Sequence, residues 1–151
     1  MKSKAMKSAI ISMVFLMLAT GTLYLFVSTQ EIAEASEEFE DNVGKTQEFE
    51  SGAFIETAFF AAVGAAYIPV GLWATITRHT SKVPYVLAIG GSFALIGLYV
   101  LSRTADIPFV GLQDDVGFID ILSKILQGGI IAISAYIIIS IRRDKKTSLL
   151  A

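Results

Sequence analysis

The chain contains no cysteine and a single histidine, His79, among its 151 residues. Without thiols it can form no disulfide, no thiolate nucleophile and no zinc–thiolate site, and its cysteine usage indicates no redox compartment. One imidazole cannot supply the paired ligands of a bis-histidine haem, and there is no second imidazole or thiolate for a copper or zinc site. We therefore expect no cofactor and no bound transition metal.

Charge is scarce over most of the chain, because the 17% of residues that are charged fall almost entirely in short clusters. Between them lie four apolar runs of 18 to 25 residues, at 9–28, 53–77, 84–101 and 118–141. About 20 helical residues cross a hydrocarbon core of roughly 30 Å. The runs lack the alternation of barrel strands, and a lipid-exposed backbone must satisfy its own hydrogen bonds. The sequence therefore predicts an all-α, four-helix transmembrane bundle, forming a single membrane domain over 1–151.

The segments that flank the runs differ in the sign of their charge. The N-terminal segment, the second connector and the C-terminal tail, together called the basic end, hold nine basic residues and one acid, Asp144. The first and third connectors, called the acidic end, hold eleven acids and only Lys45 and Arg103 as basic residues. By the positive-inside rule both termini are predicted to be cytoplasmic, in a plasma-membrane protein. The predicted connectors are an inner loop at 78–83, outer loops at 29–52 and 102–117, and a basic tail at 142–151.

An alternative concerns the first run. The basic start, the apolar run and the triplet Ala33-Glu34-Ala35 resemble a secretory signal with its cleavage site. The run is longer than the usual 7–15 residues of a signal peptide, and the triplet lies several residues past its end. Cleavage would leave three spans with the new N-terminus outside. We expect the first run to be retained as a membrane span.

The first outer loop is acidic and predicted to be partly helical. Ile32, Ala35, Phe39 and Val43 recur at helical spacing, so the first helix is expected to project from the membrane as an amphipathic extension that stops at Gly44. Clustered carboxylates also suit calcium. Their spacing does not match an EF-hand loop, and acidic blocks are usually solvated, so no metal site is predicted.

Small residues repeat along the second and third runs. Such residues let membrane helices approach closely, where packing rather than hydrophobicity drives association. We expect these two helices to pack against each other through them, and Pro69 to bend the second helix. The predicted helix-packing residues are Ala58, Ala62 and Ala66 in the second run and Gly90, Ala94 and Gly97 in the third.

The fourth run carries polar residues on one helical face. Asp120, Lys124, Gln127 and Ser134 follow at steps of four, three and seven, which places them on the same side of a helix. Ionisable groups at membrane depth are costly and normally face a partner inside the bundle. Asp120 lies one turn from Lys124 and can pair with it. Glu56 of the second run is expected at a depth within roughly 5 Å of Lys124.

Together these residues define a predicted polar cluster in the outer leaflet. Arg103 and Asp106 flank the outer end of the third run, level with the charges of the second and fourth. The cluster consists of Glu56, Arg103, Asp106, Asp120 and Lys124. We expect it to fix how helices two, three and four meet, and an ion or ligand site remains the alternative interpretation.

The same region carries a family resemblance. Ser102-Arg103-Thr104, followed by Ile107-Pro108 and then by Val116-Gly117 and Asp120, resembles a pattern in uncharacterised small four-span membrane proteins of bacteria and archaea. In that pattern a Gly-Leu-Pro stands where this chain has Asp106-Ile107-Pro108. The resemblance covers about 25 residues and the general layout. It implies a membrane location and this topology, and it implies no activity.

The sequence contains no motif of a known enzyme class. A Gly-x-Ser-x-Gly elbow, a phosphate-cradling loop and an HExxH pair are all absent, so we expect no catalytic residue. The basic ends are topology signals, and no nucleic-acid partner is expected. Besides the lipid bilayer, the partners we expect are other membrane subunits. One hypothesis is a non-catalytic accessory or scaffold subunit of a membrane complex. The alternative is a small proton- or cation-coupled transporter that uses Glu56 with Lys124 or Asp120.

Overall fold

The chain folds into four α-helices. A computed structural model describes residues 2–41, 51–78, 80–104 and 117–148. Within those ranges the helices are α1 (Lys2–Asp41), α2 (Ser51–Thr77), α3 (Val83–Thr104) and α4 (Phe118–Ser148), and no strand is present there. The four segments long and apolar enough to cross a membrane are Lys4–Gln30, Thr57–Thr77, Val83–Thr104 and Phe118–Asp144. The prediction of an all-helical bundle of the membrane-spanning type is confirmed.

The first helix is much longer than a bilayer requires. It has 40 residues, and it continues for eleven residues past the end of its spanning segment at Gln30. At 1.5 Å per residue this extension is about 16 Å long. The predicted stop at Gly44 lies outside the described residues.

The helices alternate in direction around a ring. α1 lies between α2 and α4, and α3 completes the ring by packing against α4 and, over a shorter stretch, against α2. Gly21 of α1 meets Gly64 of α2, while the earlier Met17 meets the later Gly71, so these two helices are antiparallel. Because the direction alternates, the last turns of α1 and α3 lie at the same end of the bundle as the first turns of α2 and α4.

The core receives side chains from all four helices, with most of them from α1 and α4. Met13, Met17, Ile130 and Ile137 are at most 1% exposed. The outward surface is equally apolar and includes Ile11, Phe15, Phe26, Ile76, Phe93, Phe118 and Ile125, each more than half exposed. In water such a surface would be strongly unfavourable, whereas lipid tails are as apolar as these side chains. The burial pattern is that of a bundle with lipid as its solvent.

The most extensive helix contact is between α1 and α2. A Cβ added to Gly64 would lie 2.8 Å from the carbonyl oxygen of Gly21, and one added to Gly21 would lie 3.0 Å from that of Gly64. Backbone meets backbone here, which only glycine permits. Such an approach maximises the van der Waals contact that holds membrane helices together. We therefore regard the Gly21–Gly64 contact as the main packing contact of the bundle.

The structure places the predicted packing residues of α2 and α3 on other faces. Ala58, Ala62, Ala66 and Ala94 are exposed, and a Cβ added to Gly90 or Gly97 would meet nothing within 4 Å. The reason is the rotation of α2 about its own axis. The helix presents Gly64 to α1, so Ala62 and Ala66, each two positions from Gly64, lie about 200° around the helix from that contact. The structure therefore does not bring these six residues together in an α2–α3 contact.

A short connector joins α2 to α3 at the basic end. Arg78 follows the last residue of α2 and has a positive φ of 43°. Its backbone N–H donates to the carbonyl of Ala74 at 2.9 Å, and its own carbonyl accepts a hydrogen bond from the buried hydroxyl of Tyr85. The hydroxyl of Ser81 accepts from the N–H of Val83 at 3.2 Å, which caps the start of α3. The connector is thus tied to both helices.

Candidate functional site

The acidic end of the bundle contains an ion pair between α3 and α4. Nη2 of Arg103 donates to Oδ2 of Asp120 at 3.1 Å, with the two side chains 16% and 41% exposed. The same carboxylate oxygen accepts from the N–H of Gly117 at 3.3 Å. Asp120 lies in the first turn of α4, so it also satisfies a free backbone donor and interacts favourably with the helix dipole. One carboxylate therefore caps α4 and holds α3 against it.

The ring of Tyr99 lies under two cations. Cζ of Arg103 is 4.6 Å from the ring centroid and Nζ of Lys124 is 4.5 Å from it. The negative face of an aromatic ring attracts cations at this range. Tyr99 precedes Arg103 by four residues in α3, whereas Lys124 reaches the ring from α4. We call these four residues, Tyr99, Arg103, Asp120 and Lys124, the α3–α4 clamp.

Lys124 lies well inside its helix. It follows Phe118, the first residue of the fourth spanning segment, by six residues, or about 9 Å along the helix axis. Its side chain is partly buried. At such a depth an ammonium group needs a partner. The face of the Tyr99 ring supplies one without occupying a hydrogen-bonding group of the protein. The two cations share one aromatic ring, and the carboxylate of Asp120 neutralises Arg103 beside them.

Three of the five residues of the predicted cluster meet in the structure. Arg103, Asp120 and Lys124 come together around Tyr99, with Asp120 paired to Arg103 rather than to Lys124. Asp106 and the side chain of Glu56 lie outside the described residues. Tyr99, around which these three residues meet, is not among the residues of the predicted cluster. Its four-residue spacing from Arg103 is the signal that could have assigned it to the cluster.

A second polar contact lies deeper in the bundle, between α1 and α4. Nε2 of Gln127 donates to the hydroxyl oxygen of Tyr24 at 2.6 Å, and both residues are buried, Gln127 completely. The ring of Tyr24 stacks on Phe60 of α2 with centroids 5.7 Å apart. Among the described residues, Oε1 of Gln127 has no hydrogen-bond partner. A buried, unsatisfied carbonyl is costly, so this amide is a candidate for binding a further donor.

Further buried hydroxyls connect α2 to α3 and add a second contact between α1 and α4. The hydroxyls of Tyr67 and Ser92 lie 2.9 Å apart and link α2 to α3. Ser134 of α4 donates to the sulfur of Met13 in α1 at 3.4 Å. Such contacts in membrane bundles contribute about 0.6 kcal/mol each, and at most about 2 kcal/mol. They fix the rotation of each helix, which hydrophobicity alone does not define when the outside is also apolar.

The described part of the chain offers no metal centre. No three His, Asp or Glu side chains lie close enough there to hold a metal ion. The polar groups described above are an ion pair, two cations over a ring, buried hydroxyls and the buried amide of Gln127. These groups hold helices in register and can bind or pass a polar species.

Comparison of the chain with protein-family models, with curated proteins and with solved structures gives no match. Four membrane-capable helices with polar contacts inside and apolar side chains outside are the features of a multi-pass membrane protein.

Proposed function

We propose that the protein is a non-catalytic accessory or scaffold subunit of a larger membrane complex. On this proposal, both termini lie in the cytoplasm and the membrane is the plasma membrane. The nine basic residues of the basic end support this orientation under the positive-inside rule. The described polar groups hold helices in register, which suits an assembly role better than a chemical one.

The observation that carries the proposal is the set of small residues left on outward faces. Ala58, Ala62 and Ala66 of α2 are exposed at four-residue intervals, and Gly90 and Gly97 of α3 have open space around them. A face that needs only to contact lipid gains nothing from small side chains. A face that must admit the backbone of another transmembrane helix requires them. We infer that the occupants of these faces are helices of other subunits.

The test of this proposal enlarges these small residues. The double variant Ala62→Leu/Gly97→Leu should reduce recovery of the intact complex about tenfold, because each leucine keeps the partner helix at a distance; a tenfold loss corresponds to about 1.4 kcal/mol. Cross-linking in native membranes followed by mass determination of the solubilised complex measures the effect.

The matched control is Ala132→Leu, which makes the same change on an exposed position of α4. It should leave recovery of the complex unchanged. The thermal midpoint of the purified double variant should equal that of the wild type, since the added side chains meet open space. A wild-type chain that remains a monomer in its native membrane would refute the proposal.

A second candidate is ion-coupled transport, which the unsatisfied Oε1 of Gln127 favours. This carbonyl lies in the bundle interior one turn from Lys124, and polar groups at such depth often belong to ion or proton pathways. On this alternative, vesicles containing the wild-type chain dissipate a pH gradient, and Glu56→Gln and Lys124→Ala each abolish the flux while preserving the fold. On the subunit proposal, wild-type vesicles show no flux above that of empty ones.

A further inference from the structure

A groove opens between α1 and α2 at the basic end of the bundle. Its volume is about 360 Å³, and its lining consists of Lys7, Ile10, Ile11, Val14, Thr75 and Arg78. Lys7 and Arg78 are exposed, Ile10 is buried and Val14 is partly buried. The groove therefore combines two cationic side chains at the helix ends with an apolar wall that continues into the spanning segments.

The backbone at Arg78 indicates that its side chain matters there. Its φ of 43° is a conformation that glycine normally supplies after the end of a helix. For an L-residue this conformation costs roughly 1 kcal/mol, and such strain tends to persist where function requires it. Nε of Arg78 donates to the carbonyl of Thr75 at 3.3 Å. This contact holds the guanidinium beside the groove.

The two cations lie at the ends of two spanning segments, where lipid headgroups are expected. Lys7 is in the second turn of the spanning segment Lys4–Gln30, and Arg78 directly follows the segment Thr57–Thr77. Among the described residues, neither cation forms an ion pair with a carboxylate. From Lys7 the apolar wall runs about 10 Å along α1 to Val14, towards the bilayer interior. A ligand that pairs with the two cations and also contacts the apolar wall must carry a negative charge on a hydrocarbon chain.

We propose that this groove binds an anionic phospholipid, with its phosphate between Lys7 and Arg78 and an acyl chain along Ile10, Ile11 and Val14. Basic pockets between transmembrane helices recognise anionic headgroups in this way. A zwitterionic lipid carries a cation of its own that these side chains repel, and a soluble phosphate leaves the apolar wall unused. The inference is independent of the subunit proposal, because it concerns a different face of the molecule.

The experiment titrates the purified full-length chain with phosphatidylglycerol and with phosphatidylcholine of identical acyl chains, using native mass spectrometry to count bound lipids. Each Lys or Arg near an anionic surface contributes a factor of about five in affinity, so two should favour the anionic lipid roughly 30-fold. The double variant Lys7→Gln/Arg78→Gln should lose this preference. The control Arg142→Gln/Arg143→Gln removes the same charge from the basic end outside the groove and should retain it.

Further variants keep the test decisive if the double variant folds poorly. Lys7→Gln alone should lose about fivefold, and the charge-preserving Lys7→Arg/Arg78→Lys should remain within about threefold of the wild type. Thermal midpoints measured without added lipid identify any folding defect. Three outcomes would overturn the proposal. The first is equal affinity of the wild-type chain for both lipids, and the second is an equal loss of preference in the groove variant and in the control. The third is that glycerol phosphate competes as strongly as the anionic lipid.

Discussion

Gly64→Val is expected to destabilise the bundle by about 3 kcal/mol or more. The first added carbon would lie 2.8 Å from the carbonyl oxygen of Gly21, 2.8 Å from Cγ of Leu25 and 3.0 Å from the backbone nitrogen of Leu25. Overpacking a core usually costs about 1–3 kcal/mol, with larger losses where nothing can relax. Two of these three atoms belong to the backbone, so relief requires that α1 and α2 move apart along their closest contact.

The measurement is the free energy of unfolding of the purified protein, from a titration with denaturing detergent followed by helical circular dichroism. Gly90→Val is the matched control, since it makes the same substitution in a spanning helix where nothing lies within 4 Å. It should change the unfolding free energy by less than about 0.5 kcal/mol. Equal losses for the two variants would show that the Gly21–Gly64 contact does not hold the bundle together.

Tyr99→Leu should produce the second largest loss, about 2 kcal/mol. Leucine preserves the apolar bulk but removes the aromatic face that both Arg103 and Lys124 contact within 4.6 Å. Each such contact contributes about 0.5–1 kcal/mol when exposed and about 2 kcal/mol when desolvated. Lys124 has the greater need of the ring because it lies deeper in the bundle. We therefore expect the helix pair α3–α4 to loosen first.

Tyr99→Phe provides the control, because it keeps the ring and removes only the hydroxyl. Its unfolding free energy should lie within about 0.5 kcal/mol of the wild type. A double-mutant cycle with Lys124→Met isolates the contact, since Tyr99→Leu should cost less when the cation is already gone. If Tyr99→Phe proves as harmful as Tyr99→Leu, the hydroxyl rather than the π face is the important group.

The number of spanning segments and their helical structure could be predicted from the sequence, because a backbone surrounded by lipid must form all of its hydrogen bonds internally. A run such as 118–141 must be helical where no water is available, and its length matches the membrane. The polar face of α4 could also be predicted, since Asp120, Lys124 and Gln127 share one side by spacing alone. Arg103, Asp120 and Lys124 were accordingly expected to lie near one another, and they do.

The rotation of the other helices could not be predicted in the same way. In a soluble bundle the apolar side of a helix identifies the core, but in α2 and α3 nearly all sides are apolar. The repeat of Ala58, Ala62 and Ala66 pointed to one face, whereas the contact with α1 uses Gly64, which lies between them in sequence. Its partner Gly21 stands alone in the first run without a repeating small residue, so the sequence contains no pattern that pairs the two.

The partner of each charge was also beyond sequence reasoning. Asp120 and Lys124 are one turn apart, and this spacing predicts that they pair. In the structure Asp120 instead caps the start of α4 and accepts a hydrogen bond from Arg103 of α3. Choosing between an aromatic ring and a carboxylate for Lys124 requires knowledge of which residue of α3 stands opposite. That information exists only once the helices are packed.

The length of α1 has an electrostatic consequence. Between Glu31 and Asp41 the helix carries six acidic residues along about 16 Å beyond its spanning segment. At physiological ionic strength the Debye length is about 8 Å, so the tip of this rod stands roughly two screening lengths from the surface potential of the bilayer. The field of these charges at the tip is therefore nearly independent of the charge of the lipids beneath it, and salt above about 0.5 M should screen it.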